Sequence, residues 1–267
     1  MRKLIAPLVV LAFSGSAFAA DLPLPTKAPP IPPAPTWTGW YVGGNVGAAW
    51  GKFNNSYTAP GNPNPPNFIP TDAAAISANG SNVITPAGFI GGFQAGYNYQ
   101  IQKVVLGIEA DIDFLGLGKS ASSSVVAPVA GPTTSTTSIN APWLFTLRPR
   151  VGIAVGQALI YATGGLAVAE VNLSETNTFS PLFSAAGTDT LSTSQARAGW
   201  TVGGGAQYRI NKRWSIKAEY LYVDLGTLNA SSSGPSPYFG NPAIINYSHS
   251  LNVTEQIVRV GANFKLY

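Results

Sequence analysis

Three carboxylates occupy alternate positions in the run Val104 to Phe114: Glu109, Asp111 and Asp113. A later run places Arg148 and Arg150 two residues apart, and Glu219 and Arg259 stand in further runs of the same kind. Carboxylates spaced this way could bind a cation or serve as general acid and base. They could also neutralise the arginines. No histidine or cysteine joins them, as a transition-metal site would require, and cysteine is absent from the whole chain, which removes thiol nucleophiles and disulfides. Glu109, Asp111, Asp113, Arg148, Arg150, Glu219 and Arg259 therefore read as an ion-pair network, with no metal, no cofactor and no catalytic residue.

The single histidine, His249, lies between Ser248 and Ser250, and a Ser-His pair invites a hydrolase reading. Adjacent residues project in different directions, and no acid of the same stretch is placed to orient the ring, so His249 reads as a solvated loop histidine. Gly203-Gly204-Gly205 and Gly164-Gly165 are not phosphate loops, because no helix and no Lys-Ser/Thr follows them. Glycine here relieves crowding instead. The chain is read as not an enzyme.

The elements that must carry these residues are strands. From Val104 to Phe114, apolar and polar residues alternate without a break, a period only an extended chain can use. Seven further segments repeat it: Trp37 to Trp50, Ala87 to Tyr99, Trp143 to Val155, Ala158 to Glu170, Ala198 to Ile210, Trp214 to Gly226 and Val253 to Tyr267. In the first, Trp40 to Trp50 spans ten steps of about 3.3 Å, which at a tilt near 40° rises roughly 25 Å, the height of an outer-membrane apolar band. Trp40, Trp50, Trp143, Trp200, Trp214 and Tyr222 are placed to form the aromatic girdles at its two edges. The sequence offers no amphipathic helix to cover an apolar sheet face. A closed antiparallel barrel facing lipid satisfies the pattern, all-β with eight transmembrane strands running up and down.

The connections alternate too. Three are short, and four are long: Gly51 to Pro86, Leu115 to Pro142, Val171 to Arg197 and Thr227 to Asn252. With few charges apart from Asp72, Lys119, Glu175 and Asp189, the long ones read as solvated external loops. Pro149 cannot donate to a ladder, so a bulge or break is expected in its strand.

Composition agrees with this placement. Of 267 residues only 10% are charged while 45% are hydrophobic, and 29 Gly, 12 Phe, 11 Tyr and 6 Trp suit strands and turns. The net charge of +4 falls to +2 once Arg2 and Lys3 of the leader are set aside, which is no nucleic-acid stripe. Residues 1–19 read as a secretory signal ending in Ala17-Phe18-Ala19. Residues 20–36, with seven prolines from Pro23 to Pro35, read as a periplasmic tether of extended type. Residues 37–267 form the barrel.

Several motifs carry a family resemblance: TWTGWYVGGNVG at 36–47, GFIGGFQAGYNYQ at 88–100, YATGGLA at 161–167, GWTVGGGAQYRI at 199–210, KAEYLYVDLG at 217–226 and VRVGANFK at 258–265. The chain resembles the RopB-like outer-membrane immunoproteins of alpha-proteobacteria, a small porin family similar in architecture to the eight-stranded OmpA and OmpX barrels. The resemblance implies an exported, surface-exposed outer-membrane protein supporting envelope integrity and antigenicity. Its expected partners are outer-membrane lipid, lipopolysaccharide and the barrel-insertion machinery, with self-association left open. One departure stands out: Tyr267 lies out of phase with Phe264, where the family closes one residue after the lysine with an aromatic. A narrow passive porin is the alternative, and a hydrolase at the barrel rim is a weaker one. A side-chain-filled lumen argues against the pore, because porins use about 16 to 18 strands.

Overall fold

The structure is a computed structural model that describes residues 36–62, 68–180, 187–235 and 244–266. The expected leader, the tether up to Pro35 and Tyr267 lie outside these. Among the described residues there are nine strands and one helix: β1 Gly39–Thr58, α1 Pro70–Gly80, β2 Asn82–Ile84, β3 Ala87–Ile101, β4 Val104–Ala127, β5 Gly131–Val155, β6 Ala158–Phe179, β7 Gly187–Arg209, β8 Trp214–Pro235 and β9 Ile244–Lys265. Every sequential pair from β3 to β9 is antiparallel, β1 pairs with β3, and β1 with β9 closes the ring. Eight staves therefore form the barrel, and β2 is a short addition on β1.

The alternation read from the sequence sets which way each side chain points. Ile108, Ile112 and Phe114 are exposed on the outer wall, while Glu109, Asp111 and Asp113 between them are buried. Closure pairs the backbone of each stave on both sides, so an apolar outer wall meets hydrocarbon with no strand edge exposed.

The long connections are not loops throughout: among the described residues, strands run on into all four of them. β4 has 24 residues, which at about 3.3 Å each and a tilt near 40° rise roughly 60 Å, more than twice the ~25 Å apolar band. β4 and β5 are joined by residues 128–130 alone. The cause lies in Ser and Thr, which read as loop on hydrophobicity but suit a strand when they pair. On the outer face Ser120 bonds Ser138, Ser122 bonds Thr136 and Ser124 bonds Thr134, at 3.0 to 3.1 Å. Hydroxyl pairs opposite each other on adjacent strands stabilise a ladder that no apolar face dictates.

Two seams interrupt this extension. β3 stops at Ala87 while β4 continues, and α1 fills the gap against β1, β4 and β5. Asp72 accepts from the backbone N–H groups of Val129 and Ala130, and Ser123 donates to the carbonyl of Asn79. The described β7–β8 ladder ends at Trp200 and Asp224. Beyond it Arg197 donates to the carbonyl of Thr227 across the opening.

Pro149 interrupts the ladder without shifting it. The β5–β6 pairs Leu147–Leu166 and Arg150–Thr163 share one register, and Gly164 and Gly165 lie opposite the gap. The Thr163 hydroxyl donates to the Pro149 carbonyl at 2.9 Å. Register shifts occur instead between Phe114 and Leu117, Asn140 and Leu144, and Asp224 and Thr227, the last at Gly226 with φ +69°. Bulges therefore mark the level where the strands leave the apolar band.

Candidate functional site in the barrel lumen

Ladder register alone brings the charged residues into one layer. Glu109 stands directly opposite Arg148 on β4 and β5, and Glu219 directly opposite Arg259 on β8 and β9. Across the lumen Arg148 Nη2 lies 2.9 Å from Glu109 and 2.7 Å from Asp111, with Nη1 3.3 Å from Glu219. Arg259 bonds Glu219 through Nε and Nη2 at 2.9 and 2.7 Å, reaches Asp111 at 3.1 Å, and pairs with Asp113. Arg150 is 3.4 Å from Glu109 and takes Asn98 as a second acceptor.

Lys217, an inward residue left out of the sequence-level set, donates to Glu109 at 2.8 Å. The layer is then balanced: Glu109, Asp111, Asp113 and Glu219 against Arg148, Arg150, Lys217 and Arg259. Tyr41 and Tyr161 also escaped that set. Their hydroxyls donate to Glu109 and Glu219 at 2.8 and 2.9 Å, and their rings flank the Arg150 guanidinium. Room for such long side chains comes from glycine. A Cβ on Gly96 would stand 2.2 Å from the Tyr41 oxygen, and one on Gly47 2.8 Å from the Arg259 Cβ. Burying charge is unfavourable unless it is paired and hydrogen-bonded, and here it is both.

Beyond the ionic layer the lumen turns apolar. Leu117, Ile139, Leu144, Val171, Leu221, Val223 and Ile257 belong to one buried cluster that crosses the interior. The signal was in the sequence: Tyr220, Leu221, Tyr222 and Val223 are apolar on both faces of β8. Glu255 lies in the inward phase of β9 at this level, paired across the ladders with Gly51 and Val223. It is 1% exposed, and neither carboxylate oxygen has a hydrogen-bond partner among the described residues. Glu255→Leu is expected to stabilise the protein by about 1 to 3 kcal/mol, the desolvation it removes, measured by urea unfolding in lipid vesicles.

A polar chamber follows, and here the reading of His249 is corrected. The residue is buried in β9 rather than solvated in a loop. Its Nε2 lies 2.8 Å from the Ser232 hydroxyl and its Nδ1 3.2 Å from Glu175 Oε2, an acid from a strand far off in sequence. Glu175 and Asp189, expected on a solvated surface, are buried, as is Asp72. The Ser–His–Glu order resembles a hydrolytic relay, but Ser232 is only 7% exposed and its hydroxyl also bonds Asp189 at 2.9 Å. Phe68, Phe179, Tyr57 and Tyr247 stack over the chamber with ring centroids 5.5 to 6.2 Å apart. The cluster joins the half that contains β8, β9 and β1 to the half that contains β6 and β7.

Burial raises the Asp189 carboxyl above the ordinary aspartate range, ahead of the opposing effect of Ser232. A carboxyl raised on folding takes up a proton more readily folded than unfolded, so its contribution weakens as pH climbs from about 3.9 through the folded value. Amide protection factors in residues 187–199, with the intrinsic pH dependence of exchange divided out, should therefore be higher at the acid end of that window, and Asp189→Asn should flatten the dependence.

On the outer wall Trp40 and Trp214 mark the short-turn edge, with Trp40 against Tyr97 and Trp214 against Phe264 at 5.1 Å. Trp50, Trp200 and Tyr222 mark the other edge, with Trp200 against Tyr222 at 5.5 Å. Trp143 is half-buried there and donates its indole N–H to Glu170 at 2.9 Å.

A family model described as the outer membrane protein beta-barrel domain matches residues 5–264. The chain belongs to this outer-membrane β-barrel family. The 31 kDa outer-membrane immunogenic protein of Brucella melitensis is 35% identical over 99% of this chain and 100% of its own length. The 25 kDa outer-membrane immunogenic protein of Brucella abortus is 27% identical over 84% of each chain. The 22 kDa outer membrane protein of Rhizobium leguminosarum is 29% identical over 73% of this chain and 67% of its own. This outer-membrane barrel protein therefore crosses the bilayer with strands. Its named relatives are immunogenic proteins rather than enzymes.

Proposed function

We propose that this outer-membrane barrel is a closed, non-conducting scaffold that stiffens the envelope and displays its strand extensions at the cell surface. The observation that carries the reading is the filled lumen: a neutral layer of eight paired charges, then an apolar layer, then a capped polar chamber. Arg148 and Arg259 are buried to 0% and 1% exposure within it. A hydrated ion entering would have to break several charge-assisted bonds at once. The outer wall meets phospholipid and lipopolysaccharide, and assembly requires the barrel-insertion machinery. No catalytic step is assigned.

Planar-bilayer recording of the purified, refolded protein tests this. The expected result is a flat baseline without reproducible unitary steps. Stable steps of one size, altered by substitutions of Arg148 or Glu219, would establish a narrow pore instead.

A further inference from the structure

The outward faces of β1 and β9 change character at one rung of their ladder. On one side of it the paired residues are Val46 with Val260 and Ala48 with Val258, and at it Trp50 meets Gln256. On the other side the pairs are Lys52 with Thr254 and Asn54 with Asn252. Trp50 belongs to the girdle that Trp200 and Tyr222 continue, so this rung is where hydrocarbon gives way to lipid headgroups.

A recess opens in the outer wall at that rung, between two irregularities. The β1–β3 ladder ends at Trp50 with Ala87, and β2 resumes pairing at Phe53 with Ile84, which interrupts the register at Thr85 and Pro86. On the far side the β8–β9 register shifts between Asp224 and Thr227. Trp50, Ala87 and Tyr222 give the recess an apolar side, and Lys52 brings a cation. Asn54, Asn252, Thr254 and Gln256 add amides and a hydroxyl. Lys119 reaches the rim from β4, with its Nζ 3.4 Å from the carbonyl of Thr85, another residue of the lining. Asp224 pairs with Thr254 across the β8–β9 ladder, and its carboxylate accepts from the Gly226 backbone N–H at 2.8 Å.

We propose that this recess binds the phosphorylated saccharide of lipopolysaccharide, its lipid A headgroup. The molecule presents acyl chains and, beyond them, a sugar that carries phosphates, and the wall presents matching groups in the same order. Acyl chains lie against Trp50 and Tyr222, and the amides and hydroxyl bond the polar groups of the sugar. Lys52 and Lys119, just outside the hydrocarbon, attract a phosphate and bond it with charge assistance. A glycerophospholipid offers a phosphate without the sugar and leaves the amide row unmatched. The assignment rests on the reading above that the strand extensions stand at the cell surface, which puts this edge in the leaflet that holds lipopolysaccharide.

The test is native mass spectrometry of the full chain, refolded in neutral maltoside micelles and offered diphosphoryl lipid A. Retention of a single equivalent is expected. Dephosphorylated lipid A and phosphatidylglycerol should each be held roughly tenfold more weakly. Lys52→Gln with Lys119→Gln should weaken retention of lipid A by about tenfold. Asn54→Ala with Gln256→Ala should weaken it roughly two- to fivefold. The folded band on a gel should be unchanged in each variant. Lys103→Gln, at a short turn, should leave retention as it is. Orientation is read separately: Ser122→Cys, on the exposed outer face of the β4 extension, should react with a membrane-impermeant maleimide in intact cells whose membranes hold the folded variant. Retention indifferent to the lysine pair, or equal for lipid A and phosphatidylglycerol, overturns the proposal and leaves the surface-display reading standing. Absence of labelling at position 122 overturns both.

Discussion

Arg259→Leu is expected to destabilise the barrel by about 3 to 5 kcal/mol. Arg259 serves Asp111, Asp113 and Glu219 together, and its removal leaves three buried carboxylates with fewer cations than they need. Most of the loss is the desolvation of stranded charge rather than the worth of any one bond. Two measurements check it: urea unfolding in lipid vesicles, and the temperature at which the folded band disappears on a gel. Arg259→Met with Glu219→Met removes one charge of each sign from the layer. That double variant should recover at least half of the loss, whereas additive losses would show that neutrality is not what the layer requires.

Ile108→Arg acts on the other face of the same strand and should reduce stability by about 2 to 4 kcal/mol. Ile108 is an exposed apolar residue on the outer wall of β4. A guanidinium there meets hydrocarbon. Retention of the unassembled chain in the periplasm and a lower urea midpoint are the expected readings. Gln207→Ser, at the short-turn end of the lumen, should change the midpoint little. Equal tolerance of both substitutions would mean that the outer wall is not in contact with lipid.

The fold was legible wherever side-chain chemistry differs between the faces of a strand. Glu109 and Asp111 between Ile108, Ala110 and Ile112 fix both the strand and its orientation, and Glu109 opposite Arg148 follows once β4 and β5 pair in register. Legibility failed where both faces carry the same kind of residue. Residues 133–138 read as a loop because Ser and Thr give no apolar stripe, yet their hydroxyls pair across the ladder. The partners of His249 were hidden for another reason. Glu175 lies 74 residues away, and a contact of that separation is set by the register of strand extensions that read as loops. Lys217 and Tyr161 were available as candidates, but only three-dimensional closure shows which inward side chains share a level.

The central claim is that apolar side chains face hydrocarbon and charged ones are enclosed. Because the chain has no cysteine, single cysteines report cleanly on position. Ile112→Cys and Gln94→Cys, each carrying a small fluorophore, are to be compared in vesicles with and without brominated lipid. Strong quenching at position 112 and little at position 94 is the result expected from outward Ile112 and buried Gln94. Quenching at position 94 with protection at position 112 would place the ionic residues on the outside and contradict the account.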